Sequence, residues 1–446
     1  MAVTAELKEM LSGEVGAGAI LDDDSCEQHA INGQAPGVVI RPESIEDVAA
    51  TMRWAHGNGL AAVPWGNGTL MHLGYPPDRY DVAVKLDLLN KVIDYPSEDM
   101  TITVNAGLCL GCLQNILEKK GQYLPIDPPD AKDATLGGLI ATNAGGPRRL
   151  VEGTLRDLVI GIRVVQADGK VVRGGSRVVK NVAGYDLCKL YTGSLGTLGI
   201  IVETTLKLRP LPEKQASVWC EFESPEEAEA GIAAVLESEL SPIFIEYLNG
   251  NGAKAVGPSE LDGWAQGRAA LYLGFDGPEE AAQWQMEQLQ AVLGTQQPGR
   301  CTEIYGHLQE IVSSRLIEFR GSSEAALVCK ANILSSEITR FVTSAEKVAD
   351  ENGFAIETTA HAGNGIVYLR SSGDINETGM IAAVLSWTEL AVGVSGSLVV
   401  ERAPYAVKEQ VDVWGPQRSD FRLMKSIKET LDAERVLNPG RFVGRL

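Results

Sequence analysis

The sequence predicts an α+β chain of two units, one threaded by glycine-dense turns and one built on an antiparallel sheet of ferredoxin-like order. Two observations carry this. Over residues 133–210, three glycine-dense stretches, DATLGGLIATNAGG, VVKNVAGYDL and GSLGTLG, sit between apolar, β-branched runs and carry few charges. Over residues 325–402, the apolar pattern switches between strand and helix periods in the order strand, helix, strand, strand, helix, strand.

The elements follow in order. Ser44-Ile-Glu-Asp47 reads as a capping box opening a helix with apolar residues at Ile45, Val48, Ala49 and Met52, closed by Gly57-Asn58-Gly59. Residues 82–86 and 101–104 read as strands. Residues 159–166, the turn Asp168-Gly169 and residues 170–173 read as a hairpin. Residues 200–208 alternate apolar and polar until Pro210 and Pro212 break the pattern, which places a domain boundary there. Beyond it, residues 217–222 form a strand and Ser224-Pro-Glu-Glu227 opens a helix. Residues 217–293 give a looser version of the later strand-helix series. Two such units supply a wide antiparallel sheet with helices on one face. The expected domains are therefore 1–212, 213–410 and a closing segment 411–446.

The chain has 446 residues and a formal net charge of −20, with no long acidic block. This disfavours nucleic acid and anionic membrane surfaces as partners, and an anionic substrate needs a local positive site. No apolar run reaches bilayer length, so direct membrane insertion is not expected. The N-terminus MAVTAELKEM lacks the basic-then-apolar order of a signal peptide. The cytoplasm is the expected compartment, with membrane association only through partner subunits. Seven irregularly spaced cysteines include one CxxC, Cys109 to Cys112, expected to pack at a helix start, with a redox pair as the alternative. No iron–sulfur ligand set is evident.

Glycine at this density suits backbone that turns with φ > 0 or closely approaches a ligand, and successive exposed N–H groups suit a phosphate. A further loop, Pro64-Trp65-Gly66-Asn67-Gly68-Thr69, follows the apolar run 60–63. The order of these motifs over residues 36–212 resembles the flavin-binding domain of the vanillyl-alcohol oxidase (p-cresol methylhydroxylase, PCMH) superfamily. Within it, VVKNVAGYDLCKLYTGSLGTLG and the C-terminal VLNPGRF are most similar to the FAD-binding subunits of bacterial glycolate oxidases and D-lactate dehydrogenases.

The resemblance implies a PCMH-type FAD-binding domain under a ferredoxin-like cap. It implies that Pro64, Gly66, Asn67, Gly68 and Thr69 wrap the pyrophosphate, while Thr135, Gly137, Gly138, Asn143 and Gly145 follow the ribityl and phosphate path. Gly199, Ile200 and Val202 meet the adenine end through backbone groups, and Asn438 of the closing motif joins them. Relatives that attach FAD covalently carry histidine where this chain has Thr69, so noncovalent FAD is expected.

His361 ends an expected strand before Ala362-Gly363-Asn364-Gly365. Placement alone makes it a partly exposed polar residue of little core. The resemblance implies instead that it faces substrate, with Asn364 beside it, and acts as base when neutral. Metal-dependent relatives have a second histidine seven positions on, where this chain has Tyr368, and a later glutamate-histidine pair that residues 394–401 lack. No metal is expected. Arg320 and Lys330 fall where the family places basic residues for a substrate carboxylate, with solvent-exposed cations as the alternative. The expected activity is oxidation of a small 2-hydroxy acid such as glycolate or D-lactate, by hydride transfer to flavin N5 and onward transfer to a separate iron–sulfur subunit. The alternative is a non-catalytic or electron-relaying FAD subunit beside a paralogous flavin subunit. A third reading is an oxygen-using oxidase.

Overall fold

A computed structural model describes residues 5–175, 185–260, 268–294, 298–321, 325–373 and 375–446. The Val178 to Gly184 part of the second glycine stretch lies outside them.

The first unit holds a three-stranded and a five-stranded sheet, with a two-stranded pairing of Arg209–Pro210 against Gln122–Tyr123 beside them. Strands β1 (Val38–Ile40), β2 (Ala62–Trp65) and β3 (Val82–Lys85) form a parallel sheet in the order β1-β3-β2. The Ser44 side chain accepts from the Asp47 amide and Asp47 accepts from the Ser44 amide, so the capping box is made and starts helix α1 (Ile45–Gly57). Strands β4 (Val92–Asp94), β5 (Thr101–Asn105), β6 (Val159–Val165), β7 (Val171–Gly175) and β8 (Ile200–Lys207) form an antiparallel sheet in the order β4-β5-β8-β6-β7. The expected hairpin is β6–β7, with Val165 opposite Val171. Helices α2 (Leu110–Glu118) and α3 (Leu136–Thr142) bury Leu113, Leu117, Leu136, Leu139 and Ile140 against β5 and β8. That burial fixes where the glycine turns flanking α3 must run.

The second unit is one eight-stranded sheet. Strands β9 (Lys214–Phe222), β10 (Phe244–Asn249), β11 (Ala269–Gly277), β12 (Arg300–Ile304), β13 (Ala325–Asn332), β14 (Glu357–His361), β15 (Ile366–Ser372) and β16 (Ser397–Arg402) lie in the order β12-β9-β11-β10-β14-β15-β13-β16. Each half has ferredoxin-like order, and the halves meet where β10 pairs β14. At that seam Glu246 stands directly opposite His361.

Helices on one face were expected, and here the sheet differs. Helices α4 (Pro225–Leu236), α6 (Glu279–Gly294), α8 (Ile338–Glu351) and α9 (Glu377–Gly393) pack on one side. Helices α5 (Gly250–Val256) and α7 (Gly306–Glu318) cover part of the other. The cause is in β11, whose Leu271, Leu273 and Phe275 face one core while Ala270 and Tyr272 face another. A strand apolar on both faces needs cover on both.

Helix α10 (Phe421–Leu431) leads the tail back to the first unit. There the Ala62 amide donates to the Val436 carbonyl (2.7 Å) and the Asn438 amide to the Ala62 carbonyl (2.9 Å), extending the parallel sheet by one short partner. Among the described residues no helix is long and apolar enough to cross a membrane.

The packing role expected for the CxxC is corrected. Cys109 caps α2, Cys112 is exposed, and their sulfurs pair as a disulfide with Cα atoms 5.2 Å apart. Three residues across a helix start bring both thiols to one side of the turn. Cys220 and Cys301, opposite each other on β9 and β12, form a second disulfide.

Candidate functional site

Two cavities adjoin through Leu70 and Thr142, the first between the first unit and the C-terminal tail and the second between the two units. The first, about 740 Å³, is lined by Pro64, Gly66, Asn67, Gly68, Thr69, Thr135, Gly137, Gly138, Gly199 and Asn438 from the expected set. Trp65, Ile201 and Arg441 join them. The sequence brings these together by close backbone approach. A Cβ on Gly66 would stand 2.2 Å from the Thr135 Oγ1, and Gly68 has φ +82°. The Thr135 side chain caps α3 by accepting from the Gly138 amide (3.4 Å), and Asn67 Nδ2 donates to the Asp133 carbonyl (2.7 Å).

This lining fits an FAD. It offers glycine backbone where a side chain would intrude, apolar walls, and one unclaimed acceptor. Asn438 Nδ2 donates to the Leu195 carbonyl (2.6 Å), while its Oδ1 is buried without a partner among the described residues. A buried orphan acceptor costs roughly 1–3 kcal/mol unless a ligand donor meets it. Ile200 and Val202 lie off the lining, their side chains in the core and the Val202 carbonyl taken by the Ala106 amide. Strand alternation turns Ile201 to the cavity instead.

The second cavity, about 500 Å³, is lined by Asn143 and Gly145 from the glycine turn, by Arg149, Arg320 and Lys330, and by Glu401 and His72. Arg320 is fixed: Nη1 donates to the Tyr368 hydroxyl (2.9 Å), Nη2 donates to the Gly145 carbonyl, and Glu401 lies 3.7 Å away. The exposed-cation alternative is thereby excluded for Arg320, whose side chain is 12% exposed. Among the described residues, neither the Arg149 guanidinium nor the Lys330 ammonium has a hydrogen-bond partner. Burial holds the Lys330 ammonium down to about 8, Glu401 opposing and Arg320 and Arg149 reinforcing the shift. On a chain of net charge −20, these cations make a local positive site.

His361 departs from its expected surroundings. It is 5% exposed and lies outside both linings, packed on Tyr368, which stands behind the lining residue Arg320. Its Nδ1 meets Glu246 Oε1 at 2.6 Å, its ring packs edge-on to Tyr368, and its Nε2 has no partner. The little-core expectation failed because the seam partner at Glu246 is more than 100 residues distant in sequence (|i−j| = 115). Asn364, by contrast, is exposed on the β14–β15 turn. At the position where metal-dependent relatives carry histidine, Tyr368 holds Arg320. No cluster of three or more His, Cys, Asp or Glu suited to a metal occurs among the described residues.

Burial raises the Glu246 carboxyl well above 4.5, and burial with Arg320 and Arg149 lowers His361 to about 3 from 6.5. Both directions favour an uncharged pair. The signs oppose. His361 contributes stability that is present above pH 6.5 and lost as pH falls toward 3, while Glu246 contributes stability present below pH 4.5 and lost as pH rises. Each slope is at most ~1.4 kcal/mol per pH unit. In Glu246→Gln, the loss on the alkaline side should vanish while the His361 contribution stays common to both proteins, so the melting-temperature difference from wild type should grow as pH rises above 4.5. A pH-independent difference would show that Glu246 is ionised in the fold.

His72 and its setting were not read as site elements from sequence. His72 lines the second cavity, and its loop is gripped by Arg441 from the C-terminal segment and by Lys408 from the end of the second unit. Arg441 donates to the carbonyls of Met71 (2.7 Å), Leu73 (2.6 Å) and Tyr75 (3.2 Å), and Lys408 to those of His72 and Gly74 (3.0 Å for the latter). No local pattern signals contacts made 334 or more residues apart.

A glycine-cradled cavity opening toward a cation-lined one beneath an antiparallel sheet is the arrangement of a PCMH-type flavoprotein. The chain superposes on p-cresol methylhydroxylase with a TM-score of 0.77 at 17% identity, covering 98% of this chain and 96% of that one. With 4-ethylphenol oxidase from Gulosibacter chungangensis the TM-score is 0.76 at 18% identity over the same shares. Residues 36–175 match the FAD binding domain model, and residues 211–442 match the C-terminal domain model of FAD linked oxidases. The chain belongs to the FAD-linked oxidases and is an oxidoreductase with FAD as cofactor. It is 27% identical to the glycolate oxidase subunit GlcD of Bacillus subtilis, over 99% of this chain and 98% of that protein. It is 28% identical to a D-lactate dehydrogenase of Anaerostipes hadrus over 99% and 97%, and 26% identical to a D-2-hydroxyglutarate dehydrogenase of Stutzerimonas stutzeri over 92% and 91%.

Proposed function

We propose that the chain oxidises a small 2-hydroxy acid of the glycolate or D-lactate type in the second cavity. The observation that carries this is the pair of cations Arg149 and Lys330, without a hydrogen-bond partner among the described residues, beside the fixed fork of Arg320 and against the single carboxylate of Glu401. An interior cavity with surplus positive charge calls for an anion of carboxylate size, and Arg320 presents the planar donor set that carboxylates take. The names of the three sequence relatives above, each carrying a 2-hydroxy acid, support the same class. When bound, the flavin supplies a two-electron hydride acceptor at N5. Pro64, Gly66, Asn67, Gly68, Thr69, Thr135, Gly137, Gly138, Gly199 and Asn438 would hold it, with Asn143 and Gly145 between cofactor and substrate. His361 holds Tyr368, which in turn holds Arg320.

Residues 1–212 form the FAD unit in this reading, 213–410 the substrate cover, and 411–446 the clamp that joins them. Electrons leave through a separate iron–sulfur subunit. Four of the seven cysteines are paired in disulfides, and Cys26, Cys188 and Cys329 stand singly. Attachment of FAD is noncovalent, because Thr69 offers no nucleophile of histidine's kind. Acid precipitation should therefore release all the flavin to the supernatant, and a yellow pellet would contradict it.

The test of function is anaerobic addition of glycolate, D-lactate, L-lactate and D-2-hydroxyglutarate to the purified holoprotein while flavin absorbance is followed. Bleaching by one or more is expected. If none bleaches the flavin, alone or in the assembled complex, the supporting-subunit reading replaces this one.

A further inference from the structure

We propose that His72 recognises the substrate's 2-hydroxyl group, making the second cavity selective for hydroxy acids over the corresponding plain carboxylic acids. This rests on the reading above that Arg149, Arg320 and Lys330 take the carboxylate. His72 lines the cavity they line, and it keeps part of its surface open. The charged lining side chains are Arg149, Arg320, Lys330 and Glu401, whose carboxylate faces Arg320. Of the neutral polar ones, the Thr142 hydroxyl is engaged with the Gly138 and Leu139 carbonyls and Asn143 Oδ1 accepts from the Arg156 amide, which leaves the His72 imidazole as the neutral acceptor not already engaged among the described residues.

Its protonation supports that role. Burial, with Arg402, Lys408, Arg441 and Arg320 around it, lowers the imidazole to about 3. One ring nitrogen is therefore bare at neutral pH and accepts from a hydroxyl. Its place is held as well. The five carbonyls from Met71 to Tyr75 are bound alternately by Arg441 and Lys408, so the loop cannot shift without breaking several charge-assisted bonds. The same loop reaches both cavities through Leu70, which ties the imidazole's position to the flavin side.

The test uses holoprotein reduced with dithionite under anaerobic conditions, which cannot turn substrate over, titrated by calorimetry. Glycolate is compared with acetate, and D-lactate with propionate. Wild type should bind the hydroxy acid about 10-fold more tightly, the scale of one hydrogen bond. His72→Leu should bind both members of a pair alike while keeping its FAD, and His72→Gln, which retains an acceptor, should recover part of the preference. If wild type binds neither acid of either pair, the carboxylate reading falls and this proposal with it. If wild type binds both equally, or if His72→Leu keeps the preference, His72 does not read the hydroxyl. Should His72→Leu lose its flavin, His72→Gln decides alone: a reduced preference supports the proposal, and a preference unchanged from wild type or lost completely overturns it.

Discussion

Gly68→Val should yield a folded but colourless protein. Gly68 has φ +82°, a region that β-branched residues almost never occupy, and a Cβ there would stand 3.1 Å from Trp65 Cζ2. Strain of this kind costs about 1–3 kcal/mol, and relief comes by moving the loop away from the cavity it lines. Either outcome weakens cofactor binding, by roughly 5–150-fold from the strain alone. Displacement of the backbone N–H groups from the phosphate adds to it. Gly68→Ala, with less bulk beyond the Cβ, should lose less. The flavin-to-protein absorbance ratio after gel filtration measures both, and circular dichroism checks the fold. Full occupancy in the valine variant would place the cradle elsewhere.

The features of this chain that were legible in sequence are those whose cause is local. The Ser44 cap, the β6–β7 hairpin and the strand-helix order of the second unit follow from residues a few positions apart, and each forms where expected. The glycine loop at Pro64 to Thr69 was legible for the same reason. Features decided by distant pairings were not. His361 looks like a partly exposed strand end until β10 pairs with β14 and sets Glu246 opposite it. Ile200 and Val202 were placed on the right strand but off the cavity, because only the packed sheet shows that Ile201 faces it. His72 was not read as a site residue, since Arg441, Lys408 and Arg320 reach its surroundings from far along the chain. Helix α7 has a weakly marked apolar face, and its cover on the second side of the sheet went unread.

Arg320→Ala should raise the hydroxy-acid concentration for half-maximal flavin reduction by about 10–150-fold, with a smaller change in the limiting rate. A charge-assisted hydrogen-bonded contact is worth about 1.5–3 kcal/mol, and a substrate held equally in ground and transition states loses it as affinity. The variant also leaves the Tyr368 hydroxyl and the Gly145 carbonyl without their donor, at a stability cost of about 1–3 kcal/mol. Thermal melting should register that cost while FAD content stays near one per chain. Lys330→Met separates the two kinds of cation. Because the Lys330 ammonium titrates near 8, wild-type affinity should fall as pH rises through that value, and the fall should be absent from the methionine variant. Arg320 keeps its charge throughout, so its deletion should cost about the same at every pH from 6 to 9. Unchanged half-saturation in Arg320→Ala, with bleaching intact, would mean that the carboxylate is held by Arg149 and Lys330 and that Arg320 serves only to lock Tyr368 against the glycine turn.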